Sequence, residues 1–183
     1  ESRGLGDVYK RQNNSPDTLH EIYYHLYFNA FQPDGMMDVR SRSILDPDDR
    51  VLDRISKLNN DEIGYHIINN LSQDGTDLAY NVEYTILEVE LAHPILPGGS
   101  TELIMNFKSQ IPVQIRRSGR DNKEGISYSM AQWYPKIAAY DSRGWHANPY
   151  VAREFYAPWG QFDVSITINR SYIIAASGIL ENN

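Results

Sequence analysis

The feature that most constrains the fold is a period-two alternation of apolar and polar residues in short segments. The clearest case is residues 162–168, which read Phe162, Asp163, Val164, Ser165, Ile166, Thr167 and Ile168. Successive side chains of a strand point to opposite faces, so this pattern predicts a half-buried strand. Asn169-Arg170 predicts a tight turn, and residues 172–176 would complete an antiparallel hairpin.

Other segments carry the same β-branched and aromatic signal. Strands are predicted over residues 22–28, 82–91, 101–107, 111–116 and 125–134. Both faces of 22–28 carry large apolar or aromatic residues, so we expect both to be covered. Residues 93–99 are rich in Pro and Gly and predict a connection between two strands, of which the second places Leu103, Met105 and Phe107 on one face.

A single short helix is predicted over residues 47–58. Asp46 would cap it, Pro47 suits its first position, and apolar residues follow at helical spacing. Many short strands with one helix indicate an all-β fold, an antiparallel β-sandwich.

Composition excludes several classes of function. The chain has 183 residues, a formal net charge of −7 and no cysteine. The acidic balance argues against nucleic-acid binding, and the lack of cysteine removes disulfides and thiolate chemistry.

Three arginines, Arg116, Arg117 and Arg120, are interpreted as a solvated loop rather than a phosphate site. No apolar run reaches the roughly 20 residues of a transmembrane helix. The compartment stays open, with export favoured over the cytoplasm.

Residues 1–12 look foreign to the protein. Residues 7–12, Asp-Val-Tyr-Lys-Arg-Gln, resemble the translation of a sequencing adapter. We therefore expect 1–12 to be disordered and 13–183 to be a partial β-sandwich that is incomplete at its N-terminus. A genuine polar tail is the alternative.

No complete active-site motif is present. The five histidines do not form His-Glu-x-x-His, and there is no Gly-x-Ser-x-Gly and no phosphate-binding loop. Each histidine is interpreted as a surface or packed aromatic residue. Rings are concentrated near one region, at Trp133, Tyr134, Trp145, Phe155, Tyr156 and Trp159. Such a cluster is typical of core or interface packing, with a sugar-binding platform as the alternative.

Four segments together resemble a known family. Gln132-Trp133-Tyr134-Pro135-Lys136, within residues 130–141, resembles a segment of a bacterial branch of the aminopeptidase N family. Further matches follow in the expected order along residues 13–180: Tyr24-His25-Leu26-Tyr27-x-Asn29-Ala30-Phe31, Glu154-Phe155-Tyr156-x-x-x-Gly160-x-Phe162-Asp163-Val164-x-Ile166-Thr167-Ile168, and Tyr172-Ile173-Ile174-Ala175-Ala176-Ser177-Gly178. Ser177 stands where the family often has Thr.

The resemblance implies a β-sandwich N-terminal domain of a zinc aminopeptidase. That domain would pack on the catalytic domain of the same polypeptide and wall the cleft for the peptide substrate. The zinc ion and the catalytic residues would lie in that later domain, so no catalytic or metal residue is assigned here. Gln132 is the candidate for a polar contact with the substrate's free amine, although its spacing to Pro135 is shorter than in relatives with such a contact. An ordinary strand residue is the other interpretation of Gln132. The alternative for the whole chain is a stand-alone carbohydrate- or protein-binding β-sandwich.

Overall fold

A computed structural model describes residues 5–151 and 155–181. Within them the chain is mostly β-structure, and its one α-helix is α1 (Met36–Ser43). In chain order the strands are β1 (Leu5–Gln12), β2 (Leu19–His25), β3 (Tyr65–Gln73), β4 (Thr76–Asp77), β5 (Tyr80–Glu83), β6 (Ile86–Ile95), β7 (Ser100–Gln110), β8 (Gly119–Arg120), β9 (Tyr128–Ser129), β10 (Lys136–Ile137), β11 (Tyr140–Asp141) and β12 (Gly144–Trp145).

Two four-stranded sheets make the framework. Sheet A has the order β1-β7-β3-β4 and sheet B the order β10-β2-β6-β5, and their strands pair antiparallel. The chain passes from β6 in sheet B to β7 in sheet A through a turn in which Gly99 N donates to Leu96 O at 2.8 Å. The Pro- and Gly-rich segment 93–99 therefore connects two strands, as its sequence predicts.

The core lies between the sheets. Along β7 the alternating residues Leu103, Met105 and Phe107 are at most 1% exposed. Residues from both sheets join them in one cluster that includes Tyr9, Ile22, Tyr24, Leu71, Leu87 and Val89. Burying each large apolar side chain contributes about 1.5–3 kcal/mol. These contacts across the two sheets confirm the antiparallel sandwich.

The expectation that both faces of residues 22–28 are covered is also confirmed. Residues 24–31 are buried throughout, although β2 ends at His25 and a 3₁₀ turn, Tyr27–Ala30, follows. The His25 ring stacks on Tyr27 at 5.2 Å, and the His66 ring stacks on Phe28 at 5.0 Å. Both histidines are thus packed aromatic residues.

The helix prediction over 47–58 is wrong. The carboxylate of Asp48 accepts a hydrogen bond from Arg50 N at 3.0 Å, which closes a local turn. Leu52 then adopts a positive φ of 44°, which ends any right-handed helix. Only the 3₁₀ turn Ile55–Lys57 remains. Val51 and Ile55 are nevertheless buried in a second, smaller core cluster. The predicted apolar residues therefore contribute to the core although they do not form a helix.

Several predicted strands are also wrong. Of segments 111–116 and 125–134, only the short pair β8–β9 is formed nearby. Segments 162–168 and 172–176 contain no strand, and their side chains are exposed. An alternating segment becomes a strand only where a neighbouring strand offers main-chain partners, and neither segment pairs with a strand among the described residues. The tight turn is confirmed, because Tyr172 N donates to Asn169 O at 3.1 Å. Glu154, at the start of the motif that continues into 162–168, lies outside the described residues.

The start of the chain corrects the expectation of disorder. Residues 5–12 form β1, which pairs antiparallel with β7 from Leu5↔Phe107 to Gln12↔Ser100. Main-chain pairing does not require an apolar sequence, and one buried side chain, Tyr9, anchors the strand. Residues 1–4 lie outside the described residues, and the foreign origin of 1–12 stays a prediction.

Candidate functional site

The segment that carries the family resemblance, residues 130–141, joins the two sheets. On one side the Tyr9 hydroxyl of β1 donates to Pro135 O. On the other side β10 pairs with β2, with Ile137 opposite Tyr24, and Ala138 N donates to Tyr23 O at 2.8 Å. The segment is therefore fixed to sheet A and to sheet B within a few residues.

A hydroxyl group fixes the start of this segment. Ala131 N donates to Ser118 Oγ at 2.7 Å, and the same hydroxyl donates to Ala131 O. Ser118 is buried, so these bonds are shielded from water. Gln132 therefore lies between Ala131, whose backbone is fixed by hydrogen bonds, and the aromatic residues Trp133 and Tyr134.

Gln132 is the one sequence-predicted site residue, and its conformation is unusual. Its φ is +56°, in the left-handed region that costs a residue with a Cβ about 1–2 kcal/mol. Its Oε1 atom is buried and has no hydrogen-bond partner among the described residues. A strained backbone and an unpaired buried acceptor are features that recur at functional sites.

Aromatic rings follow Gln132 directly. The Trp133 and Tyr134 rings meet edge to face at 5.6 Å, and Tyr134 also meets Phe162 at 6.0 Å. Trp133, Tyr134, Tyr140 and Trp145 are partly buried and pack against the main core. The Tyr140 and Trp145 planes are tilted by 70°, so these rings interlock instead of forming one flat surface. The expectation of core packing is confirmed for Trp133, Tyr134 and Trp145.

Beside the rings, a hairpin brings together a pair that the sequence analysis missed. Strands β11 and β12 place His146 Nε2 2.7 Å from Asp141 Oδ2. The backbone N–H of Arg143 and the His146 side chain lower the pKa of Asp141 to about 2. The signal available in the sequence is the Asp141-Ser142-Arg143-Gly144 turn, in which Gly144 takes a φ of +89°. The pair is partly buried and can hold the imidazole in one orientation, and the His146 ring meets the Tyr156 ring at 4.9 Å.

The arginine cluster is not a solvated loop throughout. Arg116 has a side chain only 7% exposed, with Nε 3.2 Å from Asp48 Oδ2. Its Nη1 donates to the Tyr150 hydroxyl at 2.6 Å. Arg117 lies over the Phe155 ring at 5.9 Å, and Arg120 pairs with Asp121. Arg116 therefore ties the loop to the second core cluster, which corrects the expectation.

Residues 5–151 and 155–181 contain no group of three or more His, Cys, Asp or Glu arranged to hold a metal ion. Within the same ranges no helix is long and apolar enough to cross a bilayer.

Comparison of the chain with protein-family models, curated proteins and solved structures finds no match. The family resemblance therefore rests on the residues of the chain itself.

Proposed function

We propose that this chain forms part of the β-sandwich N-terminal domain of a zinc-dependent aminopeptidase of the aminopeptidase N family. In this proposal, peptide-bond hydrolysis belongs to a catalytic domain of the same polypeptide, where zinc would polarise the carbonyl and activate water. The residues described here would wall the substrate cleft. The two-sheet fold and the ordered motifs support this assignment.

The observation that carries the proposal is the state of Gln132. This residue lies where the resemblance implies a contact with the substrate's free amine, and its Oε1 is a buried acceptor without a partner. An N-terminal ammonium group brings strong N–H donors. A hydrogen bond to a charged group contributes about 1.5–3 kcal/mol, enough to favour a free N-terminus over a blocked one. Since Oε1 is covered in the isolated chain, the side chain must turn outward to reach the amine.

The first test is genetic. A longer read of the same gene should encode His-Glu-x-x-His downstream of residue 183, and the purified parent should hydrolyse an aminoacyl p-nitroanilide in a zinc-dependent way. A stop codon directly after Asn183 would contradict the proposal.

The second test concerns Gln132 in that parent enzyme. Gln132→Ala should lower kcat/KM about tenfold or more, because a hydrogen bond to the ammonium group is lost. Gln132→Glu keeps an acceptor and should retain activity. A competitive inhibitor that lacks the amine should bind Gln132→Ala as well as the unsubstituted enzyme. If Gln132→Ala weakens the binding of ligands with and without the amine by the same factor, the role of Gln132 is structural only.

The alternative is a stand-alone module that binds carbohydrate or protein. Trp159 is fully exposed and could stack on a sugar ring, which favours this candidate. Trp133, Tyr134 and Trp145 are partly buried and pack against the main core, which favours the peptidase. Glycan binding by the chain alone that is lost in Trp159→Ala would support the module instead.

A further inference from the structure

Three segments of the chain carry the Asn-x-Ser acceptor pattern for an N-linked glycan. They are Asn13-Asn14-Ser15, Asn70-Leu71-Ser72 and Asn169-Arg170-Ser171. The pattern is short and recurs by chance, so the sequence does not distinguish between them. The structure can, because a bulky glycan needs an asparagine whose side-chain nitrogen is open to solvent. The enzyme that attaches the glycan must also reach the serine that completes the pattern.

The fold closes the first segment to modification. Asn13 is 5% exposed, and its Nδ2 donates to Asp17 O at 2.6 Å and to Ile95 O at 2.9 Å. An amide nitrogen carries two hydrogens, so both are used. A glycan on this nitrogen would break both hydrogen bonds and would have to displace buried neighbours.

Asn70 is exposed, but the rest of its segment is not. All three residues lie in β3, where Leu71 is buried and Ser72 is 8% exposed. Ser72 pairs with β7 on one side and with β4 on the other. The Asn70 Nδ2 also donates to Asp77 Oδ1 at 3.2 Å. An enzyme could reach this serine only after β3 had left the sheet, which requires local unfolding.

Asn169 lies in an exposed turn. Residues 169–171 are exposed throughout, and Tyr172 N donates to Asn169 O at 3.1 Å. Asn169 Oδ1 accepts from Ser171 N and from Ser171 Oγ, both at 3.0 Å, the same two side-chain bonds that Asn13 makes with Ser15. Unlike Asn13, however, Asn169 donates no hydrogen bond from Nδ2 to residues 5–151 or 155–181. The nitrogen that would carry the glycan is therefore open to solvent.

We propose that Asn169 is the N-glycosylation site of this chain. The co-substrate is an oligosaccharide joined through a diphosphate to a polyprenol. In the transfer, Asn169 Nδ2 forms a bond to the anomeric carbon of the first sugar and loses one proton. The bond from that carbon to the diphosphate oxygen breaks, and polyprenyl diphosphate leaves with the electron pair. The step needs no oxidant or reductant, and it does not depend on the peptidase assignment.

The glycan would shield an apolar part of the surface. The turn at Asn169 joins segments 162–168 and 172–176, whose side chains are exposed. A hydrated oligosaccharide at this turn covers part of that surface and favours solubility.

Transfer to the folded chain tests the assignment. The full chain is incubated with a purified oligosaccharyltransferase and its polyprenyl-diphosphate donor, and the glycopeptides are identified by mass spectrometry. Asn169 should be modified at least about tenfold faster than Asn13 or Asn70, because those two become accessible only by local unfolding. No transfer at Asn169, or equal rates at the three asparagines, overturns the proposal.

Short peptides that contain the three acceptor segments are the matched control. Their rates of modification should be similar, because the fold no longer restricts access to any of them. If the peptides show the same preference for the Asn169 segment as the folded chain, the preference is local in sequence, and the structural basis of the proposal is overturned.

Four substitutions in the full chain complete the test. Asn169→Gln should abolish transfer to the folded chain, and Ser171→Ala should do the same, because it removes the pattern but keeps the asparagine. Ser171→Thr keeps the pattern and should keep the glycan. Asn70→Gln should leave the rate at Asn169 unchanged. Transfer to Asn169→Gln at the rate of the unsubstituted chain overturns the proposal.

Discussion

At the scale of single residues, two glycines allow two effects of a Cβ atom on stability to be separated. One is the strain of a positive φ, and the other is a steric clash with neighbouring atoms. Gly119 has a φ of +153°, and a Cβ there would lie 2.3 Å from Gln114 Cα. Gly125 has a φ of +82° and no atom within 4 Å of a Cβ. Gly119→Ala should lower the free energy of unfolding by more than about 3 kcal/mol, because backbone must move. Gly125→Ala should cost only about 1 kcal/mol. Urea denaturation of both variants measures the difference, and equal losses would contradict this account.

Two buried histidines should make stability depend on pH. Burial lowers the pKa of His25 to about 4 and of His66 to about 3, from 6.5 in the unfolded chain. Below pH 6.5 the unfolded state therefore binds more protons than the native state. The free energy of unfolding is at its full value above pH 6.5 and falls as the pH drops, by up to about 1.4 kcal/mol per pH unit for each histidine.

This dependence is best measured by urea denaturation between pH 7.5 and 5, above the range where carboxylates titrate. His66→Phe should remove about half of the slope, because the ring that takes up the proton is gone. Ser109→Ala is the control. It removes the hydroxyl 2.6 Å from His66 Nδ1 but keeps the buried ring, so the slope should persist. An unchanged slope in the double variant His25→Phe with His66→Phe would refute the explanation.

At the scale of elements, β1 shows how one side chain can fix an edge strand. Tyr9 is 4% exposed and packs edge to face on Tyr24 at 5.4 Å, whereas Val8 is 58% exposed. Tyr9→Ser removes that packing and the bond to Pro135 O, at about 3 kcal/mol. Since an edge strand can open locally, we expect amide exchange in β1 to rise about 100-fold. Val8→Ser should change the amide exchange rates of β1 little. Equal exchange rates in the two variants would show that main-chain pairing alone holds the strand.

The elements also show what the sequence could predict. Alternation identified β7 and its inward residues, because one face is buried in a continuous core. The helix could not be placed, because α1 lacks an apolar stripe, with Met36 and Val39 about half exposed. It is held instead by buried Asp38, which accepts from Asp34 N at 2.9 Å and pairs with Arg42 at 2.9 Å.

The candidate site was only partly predictable for a similar reason. Local resemblance pointed to Gln132, but its positive φ and its unpaired Oε1 depend on how Ser118 holds Ala131, thirteen residues along the chain. The Asp141–His146 pair depends on a two-stranded hairpin. Sequence patterns report local periodicity, whereas these features arise from contacts between distant elements.

At the scale of the whole molecule, apolar exposure is concentrated in residues 155–181. Trp159, Ile173 and Ile179 are each more than 90% exposed, and Leu180 is 76% exposed. Several large apolar side chains exposed along one segment promote association. Replacing Ile173, Ile179 and Leu180 by Thr should therefore raise the monomeric fraction at high concentration, measured by size-exclusion chromatography with light scattering.

A second triple variant distinguishes a run of exposed apolar residues on one segment from exposed apolar area in general. Val39, Ile67 and Val82 are 47%, 49% and 42% exposed, and they lie apart on α1, β3 and β5. Replacing these three by Thr removes three exposed apolar side chains but no contiguous surface, so association should be unchanged. If the control variant gains monomer in proportion to the apolar area that it removes, total exposed apolar area would govern association. If only the first gains, residues 173–180 are the surface through which copies of this chain associate.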